Sequence, residues 1–172
     1  MKHYLIPIVL STLLLSSCGE SFPDKVEGYA PVYQSDEHIK SVSFTAPRPI
    51  VAEGKIYVKD SLLFQVEVGE GIHVIDIKNP SNPEKIGFLN LMGVTDFSIK
   101  GNMLYANNYN DLVIITINDL NEVKLVSRQE NVFNLNIGQV PPEKGYFECV
   151  DPSKGKVVGW KKETIYSPKC RM

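Results

Sequence analysis

Two stretches of this chain repeat each other about 40 residues apart, and that period narrows the possible folds more than any other feature. Ile56-Tyr57-Val58-Lys59-Asp60-Ser61-Leu62-Leu63-Phe64 is matched by Phe97-Ser98-Ile99-Lys100-Gly101-Asn102-Met103-Leu104-Tyr105. Each copy reads as an apolar strand, a polar two-residue turn and a second strand, which is a hairpin pattern. Further on, Gly71-Ile72-His73-Val74-Ile75-Asp76-Ile77 aligns with Asp111-Leu112-Val113-Ile114-Ile115-Thr116-Ile117. Both runs are dense in β-branched residues. Both lead into turn chemistry, Asn79-Pro80-Ser81-Asn82-Pro83 in the first copy and Asn118-Asp119-Leu120-Asn121 in the second. A closing strand begins near Lys85-Ile86-Gly87-Phe88 and again near Leu125-Val126-Ser127-Arg128. Lys59 to Lys100 is 41 positions and Ile77 to Ile117 is 40. Four short strands per unit at that spacing predict an all-β chain of antiparallel, propeller-blade-like sheets.

The run from Gly71 to Pro83 and the run from Leu112 to Thr116 resemble the LVIVD repeat, named for its central strand. The second copy reads Leu-Val-Ile-Ile-Thr and departs from the pattern at its last two positions. The first carries Asp76 ahead of its Asn-Pro-Ser-Asn-Pro turn. The resemblance runs from about Lys55 to Glu130. It implies an LVIVD-repeat lipoprotein of the Bacteroidetes type, a family whose molecular function is poorly defined. A central strand that is apolar on both faces is expected to lie between neighbouring sheets. Asp76 is expected to hold the backbone of its turn. His73, with no partner at ligand spacing, reads as a rim residue or a satisfied strand residue.

Closed propellers need about four blades or more, and only two clear copies are present. The expectation is two to three sheets that do not close within one chain, either an open stack with capped ends or a half-ring completed by self-association. Tyr146 to Val150 and Val157 to Lys161, joined by Asp151-Pro152-Ser153-Lys154-Gly155, predict a third, divergent hairpin. Upstream, Val42-Ser43-Phe44-Thr45 reads as an edge strand ended by Pro47 and Pro49. Residues 35–40 read as one helical turn capped by Ser35.

The N-terminus has the parts of a secretory signal. Lys2 and His3 form a basic start, Tyr4 to Leu15 an apolar run, and Ser16-Ser17 the small residues before a cut. About a dozen apolar residues are too few to span a bilayer, which takes roughly 20, and Pro7 weakens a helix there. Leu15-Ser16-Ser17-Cys18 resembles a bacterial lipoprotein signal. That resemblance implies removal of residues 1–17 and acylation of Cys18, since two or more acyl chains anchor a protein stably. Gly19, rather than aspartate, points by analogy to the outer membrane. The organisation that follows is a signal over 1–17, a tether over 18–31, a repeat region over 32–132 and a C-terminal stapled hairpin over 133–172. With Cys18 assigned to lipid, Cys149 and Cys170 remain as an even pair in an oxidising compartment. A disulfide there closes a loop of about 20 residues. Metal binding by the pair is the rival, but no histidine follows Trp160 and no third cysteine is available.

The formal charge of −2 leaves no electrostatic footprint for nucleic acid. Past residue 17 the histidines are His38 and His73, and no nucleophile elbow, His-Glu-x-x-His or phosphate loop occurs. No catalytic, metal or cofactor residues are therefore assigned. The expected role is a non-catalytic binding or assembly module of the cell envelope. Its partners would be the membrane, other envelope proteins or glycans, or a second copy. The alternatives are a glycan- or peptide-binding surface lipoprotein and an extracytoplasmic hydrolase. Candidate contacts are Tyr105, Asn107 and Tyr109 in the run from Tyr105 to Asn110, and Trp160 near Tyr146 and Phe147. Against that stands the plainer reading of Tyr105 and Trp160 as ordinary core aromatics.

Overall fold

Each sequence repeat folds as a four-stranded meander. The structure is a computed structural model describing residues 22–135 and 140–172. Its elements are β1 (Lys25–Gln34), α1 (Asp36–Lys40), β2 (Ser43–Thr45), β3 (Glu53–Lys59), β4 (Leu62–Glu67), β5 (Gly71–Asp76) and β6 (Glu84–Asn90). There follow β7 (Phe97–Lys100), β8 (Met103–Asn108), β9 (Asp111–Thr116), β10 (Lys124–Gln129), β11 (Tyr146–Phe147), β12 (Lys156–Tyr166) and β13 (Cys170–Arg171). The first repeat makes a sheet in the order β2-β6-β5-β4-β3 and the second a sheet in the order β10-β9-β8-β7. The third sheet, in the order β12-β1-β11-β13, joins the two ends of the described chain. The fold is all-β, and none of its three sheets closes into a barrel.

Local chemistry explains the repeats. The first hairpin turn of each copy needs left-handed backbone, which is supplied by Asp60 (φ 55°) and by Gly101 (φ 58°). The following strand is then held in the same way twice: Ile77 N–H donates to the Ser61 carbonyl at 2.8 Å and Ile117 N–H to the Asn102 carbonyl at 2.9 Å. Asp76 holds its turn by accepting the Lys78 N–H at 2.8 Å. Ser35 caps α1 by accepting the His38 N–H at 3.2 Å, and β2 lies at a sheet edge beside β6.

One core lies between the two repeat sheets. Phe64, Val66, Ile72 and Val74 from the first meet Phe97, Ile99, Leu104, Val113 and Ile115 from the second. A stack of two sheets has a single inner interface, so the opposite faces of the central strands are not sandwiched as expected. On the first sheet that face carries exposed Ile56, Val58 and Ile86. His73 on β5 also lies off the shared core, but it is fully buried and is not a rim residue.

The terminal sheet differs from the sequence reading in two respects. First, residues 25–31 are not tether, because β1 begins at Lys25; residues 18–21 lie outside the described residues, as do the signal and Cys18. Gly28 and Pro31 look like linker residues, yet β1 pairs along its whole length with β12. β11 is only two residues long, so β1 becomes an edge on that side beyond Tyr29, a setting that tolerates proline. Val32–Gln34 accordingly belong to this sheet and not to the repeat region. Second, the predicted hairpin from Tyr146 to Lys161 does not form. Its turn does: Asp151 accepts the Ser153 N–H at 3.0 Å and starts a 3-10 turn over Pro152–Lys154. That turn carries the chain past β1, which sits between β11 (parallel) and β12 (antiparallel). A ten-residue β1 offers β12 far more backbone partners than the two residues of β11. Cys149 and Cys170 are disulfide-bonded, Cα atoms 5.3 Å apart, next to the β11–β13 pairing.

Candidate functional site

A buried polar clamp opens each repeat, and it accounts for one of the candidate contacts. Asn107, near the end of β8, accepts the N–H groups of Thr95 (2.9 Å) and Asp96 (3.0 Å) through Oδ1. Its Nδ2 donates to the Gly93 carbonyl at 2.7 Å. Forty residues earlier, Glu67 near the end of β4 accepts the N–H groups of Val51 and Ala52. Both side chains are buried and both secure the backbone entering the first strand of their repeat. Asn107 therefore has no polar atom left for a ligand. Glu67 also meets His73, Oε2 to Nε2 2.9 Å, while His73 Nδ1 has no partner. Burial alone pushes the Glu67 carboxyl up, but the hydrogen bonds from His73, Val51 and Ala52 outweigh it and hold it below the usual range.

Tyr109 sits at the β8–β9 turn in left-handed backbone (φ 51°), where the first repeat places Gly69 (φ 82°). A bulky residue there is strained, and such strain persists only where surrounding contacts over-determine it. Gly93 supplies one of those contacts, because a Cβ at that position would fall within 3 Å of the Tyr109 ring. Burial, assisted by the negative charge of Glu70, pushes the phenol up to about 12. It is a neutral hydrogen-bonding group and not a base.

Tyr109 lines a cleft of about 370 Å³ at the rim between the second repeat sheet and the terminal sheet. One wall comes from Asn108, Asn110 and Asp111, with Lys40 of α1; the other comes from Val150, Pro152 and Val157. Arg128 of β10 locks the first of these walls. Its guanidinium donates to Asn108 Oδ1 at 2.6 Å, Asp111 Oδ2 at 2.7 Å and the Lys40 carbonyl at 3.0 Å. Asn108 Nδ2 in turn donates to the carbonyls of Ile39 and Met92. Asp111 also accepts the Asn131 N–H at 3.1 Å, so the cleft's carboxylate is occupied by structural bonds. The arrangement can hold a polar ligand against an apolar wall, and it brings no activated nucleophile to it.

The four candidate contacts do not converge. Tyr105 lies with Asn107 in a second hollow on the outer face of the second repeat sheet, beside Leu112 and Phe133. Trp160 is in the terminal sheet, in register with Pro31 and edge-on to Phe147 at 5.6 Å. Only Tyr109 of the four lines the rim cleft. Arg128, Lys40 and Glu67 were not singled out from sequence. The repeat alignment carries a signal for Glu67: a polar residue stands at the same strand position in both copies, as Glu67 and Asn107. Arg128 has no such signal, because its partners come from α1, β8 and β9. Among the described residues no cluster of three or more metal-ligating side chains occurs. The chain matches no protein-family model, no curated protein and no solved structure.

Proposed function

We propose that this chain is the extracytoplasmic part of a lipid-anchored bacterial envelope protein of the LVIVD-repeat type, a non-catalytic binding module whose ligand enters the rim cleft. The carrying observation is Tyr109, a large side chain kept in strained backbone in the lining of a cleft one of whose walls Arg128 pre-organises. The cleft's volume falls in the range of small-ligand sites, and the amides of Asn110 and Asn131, the phenol and the apolar wall suit a glycan fragment or an extended peptide. The Cys149–Cys170 disulfide suits an oxidising compartment. Cys18 behind its apolar leader supplies the anchor, and Gly19 favours the outer membrane.

The test is a heteronuclear spectrum of the mature chain titrated with envelope glycan fragments and with extended peptides. A ligand that moves signals of residues 108–111 and 156–157, and loses them in Tyr109→Ala and Asn110→Ala, supports the reading. Binding that maps elsewhere, or none at millimolar ligand, refutes it. For the anchor, Cys18→Ser should move the protein from the membrane to the soluble fraction, and retention on membranes refutes lipidation. A second reading, assembly, is favoured by the uncovered face of the first sheet, where Ile56 is 55% and Val58 54% exposed. Sedimentation equilibrium decides it: a self-associating chain should become monomeric on Val58→Lys, and a monomer at all concentrations excludes self-assembly.

A further inference from the structure

We infer that the end of the terminal sheet where β1 begins is a membrane-seating patch that rests on the headgroups of the leaflet holding Cys18; this builds on the anchoring reading above. Only residues 19–24 separate Cys18 from Lys25, the first residue of β1. Even fully extended they reach about 20 Å, and as a flexible coil roughly 14 Å. Whatever surrounds the start of β1 is thereby confined near the headgroup layer.

The side chains gathered there have interfacial chemistry. Register places Tyr166 of β12 opposite Lys25 and Arg171 of β13 opposite Tyr146 of β11. Phe22 meets Tyr146 edge-on at 6.3 Å. Lys25 Nζ lies 5.8 Å from the centre of the Tyr166 ring, and the Arg171 guanidinium 5.3 Å from that of Tyr146. Tyr166 is 69% exposed, Met172 46% and Phe22 44%, so this apolar surface is outside the core. Lys144 adds a further cation next to Gly145, which exchanges two backbone hydrogen bonds with Met172. The carboxylates nearby are Asp24, Glu27, Glu143 and Glu163; Glu143 is held by Lys162 at 3.3 Å and by the Tyr29 hydroxyl at 2.8 Å, and Glu163, opposite Gly28, by Lys161 at 2.5 Å. Aromatic rings flanked by cations are the side chains that settle at a membrane–water interface, and anionic lipid adds attraction for each lysine or arginine near it. Seating would fix the terminal sheet on the bilayer instead of leaving it to swing on its linker.

The experiment couples the mature chain through Cys18 to a maleimide lipid in phosphatidylethanolamine–phosphatidylglycerol vesicles. Cys18 is the reactive thiol, because Cys149 and Cys170 are bonded to each other. In a Trp160→Phe background, a tryptophan introduced by Tyr166→Trp should be quenched by brominated acyl chains several-fold more than one introduced by Tyr105→Trp. Equal quenching overturns the proposal. For the uncoupled chain, Lys25→Glu with Arg171→Glu should lower the partition coefficient onto the same vesicles by on the order of tenfold. As a measurement without substitutions, amide exchange of the coupled wild-type chain should slow at residues 22–25, 144–146 and 166–172; unchanged exchange also overturns it. The natural anchor is read separately, from the mass of the membrane-extracted protein. An unmodified Cys18 there refutes lipidation, whereas the vesicle measurements report on the patch alone.

Discussion

Replacing Glu67 by alanine tests how the first repeat is held. The Glu67 side chain is 4% exposed and accepts from Val51 N–H, Ala52 N–H and His73. Its removal strips the donors of Val51 and Ala52 and leaves the imidazole with neither nitrogen paired, since Nδ1 already lacks a partner. An unsatisfied buried group costs about 1–3 kcal/mol. The two backbone groups belong to exposed residues and can turn to water, whereas His73 is fully buried and cannot. The expected loss is therefore about 2–4 kcal/mol, less than three full penalties. At roughly 2–4 °C per kcal/mol for a chain of this size, Tm should fall by about 5–15 °C. Urea melts of the mature chain at neutral pH measure the loss, and hydrogen exchange at Val51 and Ala52 locates it. A loss below about 1 kcal/mol, or unchanged exchange at those two amides, would refute the clamp. The acid limb is a second check. Because the folded Glu67 carboxyl lies below its ordinary 4.5, its contribution is present above that value and is lost as pH falls through the folded one. Wild type should lose this share on acidification below about pH 4, and Glu67→Gln should flatten that part of the curve.

At position 109 the usual order of residues should invert: glycine should be more stable than alanine by about 1 kcal/mol, because only glycine adopts φ 51° without strain. Spectrophotometric titration should show a tyrosine ionising near 12 that vanishes in Tyr109→Phe; a titration unchanged by that substitution would remove the buried phenol from the cleft. Cys149→Ser with Cys170→Ser should lower stability by roughly 3 kcal/mol, with amide exchange rising in the terminal sheet and not in the repeat core. Gly87→Ala would drive a Cβ into the Phe44 ring, so it should cost about 1–3 kcal/mol and release β2 from the sheet edge, visible as faster exchange at Ser43–Thr45.

The repeat was legible because its signals are short-range. Asp60-Ser61 and Gly101-Asn102 fix two turns by backbone conformation alone, and alternation then sends Phe64 and Leu104 to the same side as Val74 and Ile115. The edge strand at Phe44 and the cap at Ser35 were readable for the same reason. The cleft was readable only in part. Tyr109 stood out as an aromatic among asparagines, but the neighbouring Asn107 proved to be bonded to its own chain on every side.

What the sequence by itself determined is the strands of the two repeats, their turns, their pairing within each repeat and the cysteine pair. These depend on a few residues at a time. What only the tertiary structure decided is which partners meet across long separations. β1 lies between β11 and β12, and its first residues become strand because a distant β12 supplies their hydrogen bonds. His73 is satisfied on one nitrogen by Glu67 from the adjacent strand, and Arg128 finds Asn108, Asp111 and Lys40 on three other elements. Such pairings are chosen by competition among all strands and side chains for backbone partners and burial, and no window of the sequence contains that competition.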